Sequence, residues 1–279
     1  MLELINIEKR FSKDKKDAIA LQKINAKFSN SDVVAIIGEN GSGKSTLLKL
    51  IATILKPTSG KITYNQKDIF ENRKLYRNLI SFISEDSSFL PELSVKDNLE
   101  YFSKMFSSSI KVENVASRVK IENLLNFKPK DLSKGQRQRL SIAINLLKNP
   151  EIVLLDEPAE GLDFETKEIV KEIIKEYKDN NKIILYVTHD EDEIEQVCDK
   201  ILILNAGRAI FYGTVEEFWN KYEKFYNVVY IENFQKKSCI VSLEKLNQIK
   251  GHLKILHVRN LRLREIINLS NSFKIITEC

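Results

Sequence analysis

The chain has 279 residues, 43% of them hydrophobic and 30% charged, with 44 Lys and Arg against 39 Asp and Glu for a net charge of +5. That is the balance of an ordinary globular protein, long enough for one large domain and a small appendage. It excludes several classes: apolar runs such as Val33–Ile37 stay far below the ~18–20 residues of a membrane-spanning helix, Met1–Leu4 is not a secretory leader, and Cys198, Cys239 and Cys279 with His189, His252 and His257 have no metal-site spacing, so the cysteines read as free thiols.

In chain order, Leu2–Ile7 and Ile24–Phe28 alternate polar and apolar residues and predict half-buried strands. Val33–Ile37 is a β-branched run and predicts a buried parallel strand. It runs into Gly38-Glu39-Asn40-Gly41-Ser42-Gly43-Lys44-Ser45-Thr46, and Leu47–Ile51 then begins a helix. This is G-x-x-x-x-G-K-[ST] between a strand and a helix, the arrangement of a phosphate-binding loop. Its glycines let the backbone turn so that successive N–H groups face an anion. The helix N-terminus adds partial positive charge. Lys44 is placed to reach β- and γ-phosphates, and Ser45 to ligate Mg²⁺.

Pro57–Gly60 predicts a turn, and Lys61–Tyr64 and Leu79–Ser84 predict strands. From Glu85 to about Leu147 strand patterns stop. Pro91 closes a loop, and Ser94-Val95-Lys96-Asp97 predicts the start of a helix through Phe106. Strands return at Ile152–Asp156, Ile183–Thr188 and Ile201–Asn205, the first two separated by a helix with Ile169, Val170, Ile173, Ile174 and Tyr177 on one stripe. Alternating strands and helices imply a parallel sheet covered on both faces. Asn205–Arg208 turns the chain into a further strand, Ala209–Tyr212. After Gly213-Thr214 the pattern blurs. Residues 1–213 therefore read as one α/β domain with a helical block at about 85–147, and 214–279 as a small α/β extension. Val228–Ile231, Cys239–Val241 and Leu253–Val258 suggest strands there, and Leu243, Leu246 and Ile249 a helix. The extension holds 11 Lys and Arg against 7 Asp and Glu. So small an excess reads as solvated surface, and no nucleic-acid partner is expected.

A second motif narrows the chemistry. Leu132-Ser133-Lys134-Gly135-Gln136 precedes the helical run Arg139–Leu147, and Ser133 with Gln136 forms a capping box. A second helix N-terminus built this way is a second anion receptor. One nucleotide on one protomer does not need two, so the pair suggests a dimer in which each terminal phosphate lies between one chain's loop and the other's helix.

With these motifs in this order, residues 1–213 resemble the ATP-binding subunit of an ATP-binding-cassette (ABC) transporter. The resemblance implies an α/β fold: a P-loop NTPase core with a mostly parallel sheet, an antiparallel β part at the N-terminus and an inserted helical subdomain. It further implies ATP and Mg²⁺ as cofactors, ATP hydrolysis as the activity, a second copy as dimer partner, and separate transmembrane permease subunits that hold the chain on the cytoplasmic face of the membrane. Ile152–Pro158 matches the second nucleotide motif, with Asp156 holding Mg²⁺ through water and Glu157 polarising the attacking water as general base. Leu132, Ser133, Lys134, Gly135 and Gln136 match the signature that contacts the partner's ATP. Gly161, Leu162 and Asp163, after Glu160, match the loop that crosses the dimer interface. His189 matches the residue that senses the γ-phosphate, and Phe11 the aromatic that stacks on adenine.

Two residues depart from the family pattern. Glu85 stands where Gln is usual, and Lys134 where the signature usually has Gly. Together with the single short cassette and the Glu-Gly-Leu-Asp loop, they look most like exporters of the multidrug, polysaccharide or lipid type. The alternative is a soluble ABC-superfamily ATPase acting on DNA or ribosomes. Only 89 residues separate Lys44 from Ser133, without heptads, which disfavours the long coiled coil of the repair-type relatives. A binding module without turnover is disfavoured by Glu157.

Overall fold

Strands that are apolar at every position must be covered on both faces, and the architecture does this around one mixed sheet. The computed structural model describes residues 1–13, 16–84, 89–158, 160–222, 225–232, 235–249, 254–261 and 265. Glu85, His252 and Cys279 lie outside the described residues. The chain runs β1 (Leu2–Lys13), β2 (Lys16–Phe28), β3 (Val33–Ile37), α1 (Lys44–Ile51), β4 (Ser59–Tyr64), β5 (Lys67–Asp68), α2 (Arg73–Asn78) and β6 (Ile80–Ile83). It continues through α3 (Val95–Phe106), α4 (Val112–Arg118), α5 (Lys134–Leu146), β7 (Ile152–Asp156), α6 (Phe164–Asp179), β8 (Ile183–Val187), α7 (Glu191–Val197), β9 (Lys200–Asn205) and β10 (Arg208–Thr214). It ends in α8 (Val215–Tyr222), β11 (Phe225–Glu232), β12 (Gln235–Ser242), α9 (Leu243–Ile249) and β13 (Lys254–Asn260).

The central sheet has the order β10-β9-β3-β8-β7-β6; β9 through β6 are parallel and β10 is an antiparallel edge. β3 and β8 are buried at all positions. On one face lie Leu99, Val115, Leu140 and Ile144 from α3, α4 and α5, with the predicted stripe Ile169, Val170, Ile173, Ile174 and Tyr177 of α6. On the other lies the antiparallel sheet β2-β1-β4-β5, whose Leu2, Leu4, Ile24 and Phe28 enclose Leu47, Leu48 and Ile51 of α1. The described residues between β6 and β7 contain helices and turns but no strand.

The order β3-β8-β7 is what builds the site. Residues 38, 157 and 189 follow the carboxyl ends of three neighbouring parallel strands, the edge where open α/β sheets bind ligands.

Beyond the central sheet, β12-β11-β13 forms a separate antiparallel sheet with α9 on it, closed around Val228, Val241, Leu246 and Ile249. α8 ties this part to the main sheet: Phe218, with Trp219, Phe225 and Ile240, packs on Ala35, Ile37, Ile201 and Ile203.

Several predicted boundaries move for identifiable reasons. β1 and β2 are longer than their alternating stretches, because register shifts along β1 (Leu4/Ile7, Ile7/Lys9 and Lys9/Arg10) break the period of two. α2, α4, α7 and α8 span six to eight residues, too short for a readable helical stripe. Leu243, Leu246 and Ile249 lie on α9 as predicted; Leu246 and Ile249 are buried, and Leu243 is 48% exposed. Cys198 is a free thiol as expected, but Cys239 is disulfide-bonded, which corrects its free-thiol reading.

Candidate active site

β3 delivers the chain into the phosphate-binding loop, where Gly43 is the N-cap of α1 at φ 107°, ψ 4°. A Cβ at Gly43 would sit 2.7 Å from both the Ala20 carbonyl oxygen and Leu21 Cδ2, so the left-handed turn and the close packing both require glycine. No side chain caps α1. The N–H groups of its first turn therefore face outward as an anion receptor. Glu39, Asn40 and Gly41 form the exposed rim, and Thr46 is half-buried in the first turn. Ser42 Oγ is buried without a hydrogen-bond partner, a polar atom that a ligand oxygen would satisfy.

Lys44 is buried, and its Nζ donates to the carbonyl oxygens of Gly38 at 2.8 Å and Glu39 at 3.3 Å. It also stands 4.0 Å from Glu157 Oε1. Desolvation lowers its pKa, against the opposing pull of Glu157 and Asp156. The loop thus holds a cation over its own carbonyls, beside the open helix end.

At the end of β7, Asp156 accepts a hydrogen bond from Ser45 Oγ at 3.2 Å. Burial raises the Asp156 pKa while the Ser45 bond lowers it. Among the described residues no group of three or more His, Cys, Asp or Glu forms a metal cage. The adjacent hydroxyl and carboxylate instead match the donor set of a hard cation that takes its remaining ligands from water and phosphate. Glu157 follows at φ 52°, a left-handed conformation uncommon outside glycine, and its N–H donates to the Val187 carbonyl at 3.2 Å. This backbone turn directs its carboxylate to His189, whose Nε2 lies 3.3 Å from Glu157 Oε1. A hydrogen bond with Glu160, followed by burial, pushes Glu157 up to about 7. The same hydrogen bond holds Glu160 down. These three side chains, with Gly161 and Lys167, line a cleft of about 210 Å³.

The second motif forms as predicted. Ser133 Oγ accepts from the Gln136 N–H at 3.2 Å, and Gln136 Oε1 accepts from the Ser133 N–H at 2.9 Å, closing the capping box at the start of α5. Leu132 is buried beneath it. Among the described residues, the hydrogen bonds of the Ser133 side chain and N–H run to Gln136, and those of Lys44 Nζ to its own loop. A Cβ at Gly135 would lie 2.9 Å from Asp163 Oδ2, which brings α5 against the loop Gly161-Leu162-Asp163. Asp163 N-caps α6 by accepting from the Thr166 N–H at 2.9 Å. Lys134, Gln138, Glu157, Glu160 and Leu162 line a cleft of about 220 Å³ between them.

Four features were not legible beforehand. Arg139, buried on α5, places Nη2 2.9 Å from both Asp163 Oδ1 and Glu165 Oε2, and its Nε donates to Thr166 Oγ1. It joins α5 to Asp163 and the first turn of α6; the available signal was one arginine inside a largely apolar helical run. Glu160, read only as the start of a loop motif, shares a hydrogen bond with Glu157. Lys167 and Glu193 flank the His189 turn. At Phe11, 40% exposed, Lys9 Nζ sits 4.9 Å over the ring centroid, so one ring face already carries a cation.

A profile described as ABC transporter matches residues 21–160. The chain belongs to this family. The cassette is 30% identical over 225 residues to the ABC transporter ATP-binding protein NatA of Bacillus subtilis (strain 168), covering 78% of this chain and 92% of that protein. It is 32% identical over 229 residues to the sulfate/thiosulfate import ATP-binding protein CysA of Pectobacterium atrosepticum, covering 78% and 68%. Among solved structures, the ATP-binding cassette MJ0796, a dimer in a post-hydrolysis state bound to ADP and Pi, superposes with a TM-score of 0.70 at 28% identity, covering 77% of this chain and 99% of that one. This protein is accordingly an ATP-binding subunit of an ABC transporter and an ATPase, with the P-loop NTPase cassette fold that its motifs implied.

Proposed function

We propose that this ABC ATPase hydrolyses Mg·ATP as a head-to-tail dimer docked on separate membrane subunits, and that it powers export. The observation that carries the reading is the convergence of Lys44, Asp156, Glu157 and His189 at one sheet edge, beside a helix end with no cap of its own. Residues 38–46 wrap the phosphates with backbone N–H groups, and Lys44 exchanges its carbonyl partners for β- and γ-oxygens. Ser45, directly, and Asp156, through water, hold Mg²⁺, which when bound neutralises charge developing on the phosphates. Glu157 accepts a proton from the attacking water. His189, already within 3.3 Å of that carboxylate, faces the γ-phosphate. The open face of Phe11 stacks on adenine. Glu85, outside the described residues, is assigned to the water or Mg²⁺.

Leu132, Ser133, Lys134, Gly135 and Gln136 meet the partner's nucleotide, and Gly161, Leu162 and Asp163 cross the interface. Closure is then a two-state change biased by the γ-phosphate. No helix among the described residues is long and apolar enough to cross a membrane. Passage of solute is therefore assigned to separate transmembrane permease subunits, which dock near residues 85–99 and hold this chain on the cytoplasmic face of the membrane. Residues 1–213 act as the ATPase domain and 214–279 as its extension.

Direction rests on the resemblance at Lys134 and the 160–163 loop; several relatives are named for import, so direction has its own test. With the membrane subunits in inside-out vesicles, ATP-dependent accumulation of solute supports export, and its ATP-dependent release overturns it. For the catalytic assignment, Glu157→Gln retains ATP binding and forms dimers with Mg·ATP on size exclusion while hydrolysis falls by about 10²-fold or more. Unchanged turnover refutes the role of Glu157.

A further inference from the structure

His189 is aimed by its neighbours. Thr188 Oγ1 donates to Glu193 Oε2 at 2.6 Å, and the Tyr186 hydroxyl donates to the same oxygen. Thr188 Oγ1 also accepts from the Asp190 N–H at 3.2 Å. Asp190 Oδ1 accepts from the N–H groups of Asp192 at 3.1 Å and Glu193 at 3.3 Å, capping α7. From α6, Lys167 Nζ reaches Asp190 Oδ2 at 2.8 Å and stands 3.9 Å from Glu193 Oε1. Both sequence neighbours of His189 are thereby tied to the first turn of α7. Through Lys167 they are also tied to the helix that begins at Asp163 of the interface loop.

Glu193 is only 4% exposed. A carboxylate is rarely kept in such a place unless hydrogen bonds and charge satisfy it. Here two hydroxyl donors and an ammonium group do so; Tyr186 lies on β8, and Thr188 directly follows that strand. Helix capping alone explains none of this, because Asp190 already caps α7. The convergence on one buried oxygen instead fixes where the backbone turns before His189.

We infer that Glu193 is a positioning residue for His189: by holding the hydroxyls of Tyr186 and Thr188 against α7, it sets the imidazole facing Glu157. The inference rests on the role assigned to His189 above and deepens it. A side chain displaced by about 1 Å from its productive geometry loses a large part of its catalytic effect. With Glu193 gone, the Thr188–Asp190 segment loses its fixed point on α7, while the phosphate-binding loop, on a different strand, stays as it was.

The test uses the full chain and Mg·ATP. Glu193→Ala lowers kcat roughly tenfold, with KM held within about twofold. In a His189→Ala background the same substitution has no further effect, because the side chain it aims is gone. Glu193→Gln, whose amide oxygen still accepts both hydroxyl bonds, restores most of the loss. An equal loss in both backgrounds, or unchanged kcat in Glu193→Ala, overturns the inference. If Glu193→Ala does not fold, Thr188→Val removes the hydroxyl, and with it the bonds to Glu193 and from the Asp190 N–H, and is held to the same outcomes. A separate readout needs no turnover. The chain has only three histidines, so the ring ¹H–¹⁵N resonances of His189 can be followed against His252 and His257, and Thr188→Val shifts them. If His189→Ala alone leaves kcat unchanged, the assigned role of His189 falls, and the spectrum then decides positioning: unmoved His189 resonances in Thr188→Val overturn it.

Discussion

Two helix N-termini of this cassette look alike as text and differ as chemistry. α1 begins at a left-handed glycine, has no side-chain cap, and keeps Lys44 parked on loop carbonyls. α5 begins at Ser133, and its first turn is closed reciprocally by Gln136. The first end is complete for an anion in one protomer. The second is a finished cap whose remaining hydroxyl proton and dipole are left for a ligand arriving from outside. A helix terminus is open as a primary anion site where the chain withholds its own cap, as at α1, and is partly satisfied from within where it supplies one, as at α5.

The sharpest way to break this comparison is Lys44→Ala. Charge-assisted hydrogen bonds of about 1.5–3 kcal/mol are lost, so ATP affinity of the isolated protomer falls roughly 10- to 100-fold. Ser133→Ala leaves that affinity within about twofold if, as proposed, Ser133 serves the partner's nucleotide; Lys44 and Ser133 variants that weaken protomer binding equally, read by fluorescent-nucleotide titration, would end the distinction. Next in size is Gly43→Ala, which forces a Cβ into φ 107° and into contact with Ala20 and Leu21. It destabilises the fold by about 1–3 kcal/mol in thermal denaturation. Gly135→Ala meets only the end of the Asp163 side chain and costs less. Ser133→Ala, by removing a cap, costs about 0.5–2 kcal/mol of stability and lowers turnover where dimers form, as assayed across protein concentration.

The smallest effect concerns Glu160. In metal- and nucleotide-free protein, Glu160 and burial push Glu157 up to about 7, an expected inflection that a ¹³C carboxyl titration checks. Glu160→Gln removes the neighbouring carboxylate and moves that inflection down. With a neutral amide in place of the Glu160 carboxylate, ionised Glu157 no longer faces a neighbouring negative charge, so its charged form is favoured. An inflection that stays in place would separate the two carboxylates functionally.

Much of the site was legible because its signals are local. The phosphate-binding loop is contiguous, and a capping box needs only Ser133 and Gln136. The stripe of α6 needs only the helical period, and β3 and β7 are bounded as their apolar runs predict. What could not be read involves partners far apart along the chain. The tether from Arg139 to Asp163 and Glu165, the cation of Lys9 over Phe11 and the Glu193 clamp depend on which elements pack together. The full length of β1 was hidden by register shifts that interrupt alternation.

The amino-acid order by itself determined the family, the nucleotide class and the local geometry of both helix ends, because each depends on residues within one turn or loop. Tertiary structure alone decided that β8 lies between β3 and β7, and so that Glu157 stands 4.0 Å from Lys44 and 3.3 Å from His189. Strand order is set by how apolar faces are covered across the whole sheet, a sum over distant residues that no single stretch of chain encodes.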